Sequence, residues 1–164
     1  MATTAVSIHE YLSTSYRPDC DYVDGEIRER NLGEADHSRL QLALGAYFYN
    51  HRKEAGITAF MEQRVQVSST RFRVADICVI LGEPASQILR EPPFICIEIL
   101  SPDDSFTRTN ERVNDYLEFG VPYVWIIDPK DPQSLALHAG RDAGSPRASD
   151  RETQHRCGSG KLFD

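Results

Sequence analysis

The sequence predicts an α+β or α/β domain, a mixed central β-sheet with helices packed on it. Three observations lead there. Apolar runs of strand length, over residues 57–67, 72–81, 94–100 and 123–127, are bounded by Gly, Pro, Asp and Ser. Two longer segments instead repeat their apolar residues every three or four positions, which is the helical period. The two patterns alternate along the chain, so sheet and helices must share one core.

The elements follow in order. Ser7-Ile8-His9-Glu10 forms a capping box, a hydroxyl followed three residues later by a carboxylate, and opens a short helix through about Ser13. Asp24-Gly25, between Tyr22-Val23 and Glu26-Ile27, supplies the positive φ angles that a two-residue hairpin turn needs. Asp36 is placed to cap a longer helix to about Glu54. Its stripe of Leu40, Leu44, Tyr47, Phe48 and His51 faces the core, and Gly56 stops it. Residues 57–67 and 72–81 read as strands joined by the turn Ser68-Ser69-Thr70-Arg71. Prolines in residues 82–93 withhold ladder donors, so the next strand starts only near Phe94, and Ser101-Pro102 ends it. A helix over residues 107–119 turns Val113, Tyr116, Leu117 and Gly120 inward. Residues 123–127 form a strand, with Trp125 as core filler, closed by Asp128-Pro129; residues 135–138 add a short one. One domain over residues 1–139 is expected, followed by a polar, poorly ordered tail over residues 140–164, rich in Gly, Ser, Asp and Arg.

A length of 164 residues with 40% hydrophobic and 26% charged residues suits one soluble globular domain. The apolar stretches are too short to cross a bilayer and the first residues lack a secretion-signal layout, so a cytoplasmic protein with no membrane partner is expected. A formal charge of -7 counts against gripping nucleic acid by excess Lys and Arg. It leaves room for DNA chemistry through a recruited divalent cation, which neutralises an acidic site before phosphate arrives. The four cysteines, Cys20, Cys78, Cys96 and Cys157, lack zinc-ligand spacing. Cys78 and Cys96 lie inside apolar strands and read as reduced core thiols.

Chemistry concentrates on two carboxylates. Asp76 interrupts the apolar run of residues 72–80, and Glu98 interrupts that of residues 94–100. A buried ionised carboxylate needs a cation, a metal or a donor cluster beside it. Strand alternation puts Val74, Asp76, Cys78 and Ile80 on one face of their strand, and Phe94, Cys96, Glu98 and Leu100 on one face of theirs. If the strands are neighbours, the acids converge. Two carboxylates completed by water and substrate phosphate suit Mg²⁺, with Mn²⁺ as a substitute. The competing reading pairs each acid with an arginine such as Arg73, Arg64 or Arg112, with no chemistry. Tyr47 and Phe48 read as core and Tyr49 as surface, rather than as a base-stacking platform.

Together, Asp24-Gly25-Glu26, His37 near the start of the long helix, Val74-Ala75-Asp76, residues 97–102 and residues 120–129 resemble the Uma-type restriction-endonuclease family of the PD-(D/E)XK nuclease superfamily. The resemblance spans about residues 7–138. It implies a restriction-endonuclease-like mixed central sheet flanked by helices, and a metal-dependent DNA endonuclease. Asp76 and Glu98 would hold Mg²⁺, with the main-chain carbonyl of Ile99 as a further ligand, and the cation would supply the attacking water. Ala75 stands where the superfamily pattern has proline, which shapes backbone and provides no ligand. Leu100 takes the usual lysine position, and the migrated position on the following helix is Arg112. Arginine stays charged, so Arg112 could steady negative charge but not act as general base. Arg108, one turn earlier, could reinforce it, and His37 could contact phosphate. The competing reading makes Arg112 a salt bridge to Glu111 or Asp115, and His37 a solvated residue. The resemblance also makes Asp21 and Glu62 candidate outer acids. DNA is the expected partner, and a homodimer would bring two related sites to a duplex. One alternative is a catalytically degenerate nuclease fold that binds nucleic acid or protein; another is a metal-dependent hydrolase of a non-nucleic substrate.

Overall fold

The sheet is built around one long antiparallel pair, β3 (Ile57–Ser68) and β4 (Arg71–Leu81), of which β4 is buried from Phe72 to Val79. The computed structural model describes residues 5–31 and 33–139, with residues 132–139 as backbone; the expected tail lies outside the described residues. Before this pair come α1 (Ile8–Ser13) and the hairpin of β1 (Cys20–Val23) with β2 (Glu26–Glu29). The Ser7 hydroxyl accepts from the Glu10 N–H at 3.1 Å, as the capping box requires. Asp24 and Gly25 take φ angles of 51° and 96°, the pair of left-handed residues that the turn demands.

Next is α2 (Ala35–Ala55), closed by Gly56 at φ 64°. Its N-cap is Glu34, without a side-chain bond, and Asp36 lies inside the first turn, where its charge meets the positive end of the helix dipole. The buried stripe is narrower than expected: His37, Leu44 and Phe48 are buried, whereas Tyr47 is 49% exposed. Tyr47 and His51 flank the stripe and pack against each other with tilted rings, their centroids 4.3 Å apart.

β5 (Ile95–Ile99), α3 (Phe106–Phe119) and β6 (Tyr123–Asp128) form a parallel crossover unit, with Ile97 beside Trp125. Ser105 caps α3, and Gly120 ends it at φ 103°. The last strand, β7 (Asp131–Ala139), is longer than the expected residues 135–138, because it pairs back on β6 as a hairpin. The seven strands run β2-β1-β4-β5-β6-β7, with β3 on the other edge of β4.

Helices cover both faces. Leu44 and Phe48 of α2 pack on Ile77, Val79, Ile95, Ile97, Ile99 and Ile127. Val113 and Tyr116 of α3 pack on Val65, Val67, Ala75, Cys78, Cys96 and Val124. A third cluster sets Tyr11 against Tyr22 and Phe72, with the Tyr11 hydroxyl donating to the Cys20 carbonyl at 2.8 Å. Trp125 is half-buried against Phe48. Among the described residues, no helix is long and apolar enough to cross a membrane.

Strict alternation fails at one point, and that point is the candidate site. Ile77 and Val79 face α2 while Cys78 faces α3, yet Ala75 also faces α3. The facing of β4 therefore inverts at Asp76, and Val74, Asp76, Cys78 and Ile80 do not share a face as expected. The cause lies across the ladder. Met61 pairs with Ile77 and Gln63 with Ala75, but Glu62, between them and opposite Asp76, has φ 52°. A left-handed residue turns the strand over and removes one rung.

Candidate acidic site at the strand junction

Asp76 occupies a notch in the sheet. The edge of β4 away from β3 pairs with β1 at Arg71 and Phe72, and with β5 from Ile77 to Val79. Between these neighbours the ladder has a gap, and the carboxylate of Asp76 reaches into it. Asp76 Oδ2 accepts the Ile99 N–H at 2.7 Å, taking the place of a ladder carbonyl at the end of β5. The rung after Ile77–Ile97 would join Asp76 to Glu98, which brings the two acids together.

Glu98 points toward α3. Tyr116 Oη donates to Glu98 Oε1 at 2.7 Å, and Arg112 Nε stands 3.4 Å from Glu98 Oε2. That contact is an ion pair without a hydrogen bond: Glu98 Oε2 and Arg112 Nε are both buried without a hydrogen-bond partner. The two carboxylates converge on one nitrogen. Arg30, just past β2, donates from Nη2 to Asp76 Oδ1 in a short contact, and the same Nη2 lies 3.6 Å from Glu98 Oε2. Its other terminal nitrogen donates to Glu62 at 2.7 Å, and Gln41 of α2 donates to both Glu62 and the Asp76 carbonyl.

These surroundings push the two acids apart. Burial raises the Asp76 carboxyl, but Arg30, His37 and the Ile99 N–H outweigh it and hold the group low, at about 2. Burial also raises Glu98, and the nearby Asp76 charge adds to this; Arg112, Arg30 and Tyr116 offset it only in part, leaving about 7. The same notch thus lowers one carboxyl and raises the other.

The other expected site residues divide. His37 is buried, with Nε2 3.5 Å from Asp76 Oδ2, and the contact with Asp76 raises its pKa above the usual imidazole value. Gly33 makes room for it, since a Cβ at Gly33 would sit 2.7 Å from His37 Nδ1. The expectation of a solvated histidine is thus corrected: the first turn of α2 lies against the notch. Arg112 pairs with Glu98 and stands 3.6 Å from Asp104, not with Glu111 or Asp115. Arg108 is exposed on the rim of a groove that also holds Arg28, Arg30 and Arg112. Ile99 contributes its N–H to the site through Asp76.

Asp21 is buried but already engaged, accepting from Arg73 Nη1 and the Val74 N–H at 2.9 Å each. Arg73 also donates to Asp115 at 2.7 Å, so it clamps β1 to α3 and takes no part in balancing Asp76. Arg64 sits over the Tyr11 ring at 4.9 Å and pairs with neither acid. Glu62 is an outer acid only through Arg30 and Gln41.

Sequence reasoning missed Arg30, Gln41 and Asp104. Asp104 accepts from the Ser101 N–H at 2.7 Å and from Asn31 at 3.0 Å, tying the loop after β5 to the segment after β2. No local signal marks Arg30, because the β1–β4 pairing that carries residues 30 and 31 to the notch is a long-range feature. The Gln41 position, one turn beyond His37 on the same face of α2, was the available hint.

The fold resembles the crystal structure of a putative nuclease belonging to DUF820 from Anabaena variabilis ATCC 29413, at 26% identity and a TM-score of 0.68, over 87% of this chain and 89% of that one. No curated protein matches. The Uma2 family model, described as "Putative restriction endonuclease", matches residues 9–155, reaching beyond the block of residues 7–138 that carries the resemblance. This chain belongs to the Uma2 family.

Proposed function

We propose that this protein is a divalent-metal-dependent endonuclease that hydrolyses phosphodiester bonds of DNA, with Asp76 and Glu98 as its metal ligands. The observation that carries the reading is the convergence of Asp76 Oδ1 and Glu98 Oε2 on one point, with the Glu98 oxygen buried and without a hydrogen bond. Hard oxygen donors of this kind fit Mg²⁺ or Mn²⁺. Among the described residues no cluster of three or more His, Cys, Asp or Glu side chains could hold a metal ion, and Mg²⁺ needs none, since it keeps several waters and uses one or two carboxylates. The Ile99 main-chain carbonyl is proposed as a further ligand. A divalent cation held by these residues would lower the pKa of a bound water and offset charge on the phosphate oxygens.

The protein groups have separate tasks. Tyr116 fixes the Glu98 rotamer, and the Ile99 N–H fixes that of Asp76, so the donors are held before substrate arrives. Arg112, beside Glu98 and permanently charged, steadies negative charge developing on the phosphate and moves no proton. To Arg108, at the groove, and His37, beside Asp76, the proposal assigns contacts with phosphate oxygens. A duplex cut on both strands calls for two such sites, hence a homodimer.

Calorimetric titration with Mg²⁺ and Mn²⁺, on the wild type and on Asp76→Ala, tests the reading. Binding that the substitution abolishes, together with metal-dependent nicking of supercoiled plasmid, is expected. Absence of metal binding would favour a degenerate nuclease fold that binds without cutting. Metal binding with intact DNA and RNA would favour a hydrolase of another substrate.

A further inference from the structure

We propose that Arg30 is an intrinsic counter-cation lodged in the metal position, so that a divalent ion loads only by displacing its guanidinium. The inference rests on the reading of Asp76 and Glu98 as metal ligands and adds a gate to it.

Three observations support the gate. First, a single nitrogen, Arg30 Nη2, faces both acids, bonded to Asp76 and 3.6 Å from Glu98 Oε2. Two carboxylates brought this close in a buried notch repel each other, and the Arg30 cation lies between them, with Arg112 beside Glu98 and His37 beside Asp76. Second, the fit is incomplete on both sides. Arg30 Nε and Glu98 Oε2 are buried with no hydrogen bond. Third, there is somewhere to go. A cavity of about 180 Å³ adjoins the notch, lined by Arg30 itself with Asp19, Glu62 and Asn31. Glu62 already holds the far nitrogen at 2.7 Å and is 40% exposed, so the guanidinium can pivot outward around a contact it already makes.

The consequence is competition. A metal that meets a site occupied by its own arginine binds with its intrinsic affinity reduced by the fraction of molecules in which the arginine has left. Removing the guanidinium lifts that reduction. Arg30→Met, close in length and uncharged, is therefore expected to bind Mn²⁺ at least about tenfold more tightly than the wild type, which corresponds to an inward arginine in at least nine molecules of ten.

Titration calorimetry with MnCl₂ on the wild type and Arg30→Met reads this directly. Tighter binding by the variant supports the gate; equal or weaker binding overturns it and leaves the metal site standing. No binding by either protein overturns the metal reading and the gate together. Should Arg30→Met fail to fold without metal, its rescue by MnCl₂ supports the gate. A second measurement uses the folded wild type. The ¹⁵N signal of Arg30 Nε is expected to move from a protected to a rapidly exchanging environment as Mg²⁺ saturates the protein, and an unchanged signal at saturation overturns the proposal.

Discussion

Tyr116→Phe removes one hydroxyl from the core and leaves every carbon atom in place. Its partner is Glu98 Oε1 at 2.7 Å, and the residues are 0% and 1% exposed. Since Glu98 Oε2 has no hydrogen bond, the substitution strips the carboxylate of its hydrogen-bond donor among the described residues. A hydrogen bond to a charged group contributes about 1.5–3 kcal/mol, and a buried acceptor left bare costs a similar amount, so a loss of about 2–3 kcal/mol is expected. For a domain of this size that corresponds to a fall in Tm of roughly 7–10 °C. Urea denaturation at pH 8 with a chelator present measures it, with the midpoint falling and the slope unchanged. Mn²⁺ affinity should weaken in parallel, because Glu98 loses the contact that fixes its rotamer. A loss below about 0.5 kcal/mol would refute the argument, since it would mean that water or a shifted side chain already satisfies Glu98.

Other predictions follow from the same structure. Arg73→Met leaves Asp21 and Asp115 buried beside no Arg73 cation and should cost about 3–5 kcal/mol by denaturation, whereas Arg71→Gln, at a more exposed pair, should cost about 1 kcal/mol or less. Cys20, Cys78 and Cys96 are buried free thiols, and burial pushes Cys78 up to about 12, so a thiol reagent at pH 8 should label these three only after unfolding. Stability without metal should fall as pH rises from about 4.5 to about 7. In that window the unfolded chain releases the Glu98 proton while the folded protein, with its raised pKa, retains it. Glu98→Gln should remove that slope, and parallel pH curves for the two proteins would contradict it.

Much of the architecture is legible in the sequence because it rests on local chemistry. The capping box at Ser7, the Asp24-Gly25 turn and the glycine stop at Gly56 each fix a boundary through one conformational requirement. The apolar runs name the strands, and the two acids inside them stand out because burial of charge is so costly. What the sequence does not carry is the inversion at Asp76. Period-two alternation assigns its face correctly only while the ladder is regular, and Glu62, an ordinary residue in sequence, breaks it with φ 52°. Arg30 is hidden for a related reason. Its role depends on β1 sharing an edge of β4 with β5, a pairing between segments far apart in the chain. The stripe on α2 shows the opposite error: Tyr47 keeps the helical period but lies on the flank, so periodicity gives a direction and not a depth.

The central claim is that Asp76 and Glu98 meet at one divalent cation. A crystal soaked in MnCl₂, measured at the manganese absorption edge, addresses it without reference to activity. The account predicts an anomalous peak between the two carboxylates, about 2.2 Å from an oxygen of each, with the Arg30 guanidinium turned away from it. A notch without such a peak at saturating Mn²⁺, and with Arg30 still bridging both acids, would contradict it.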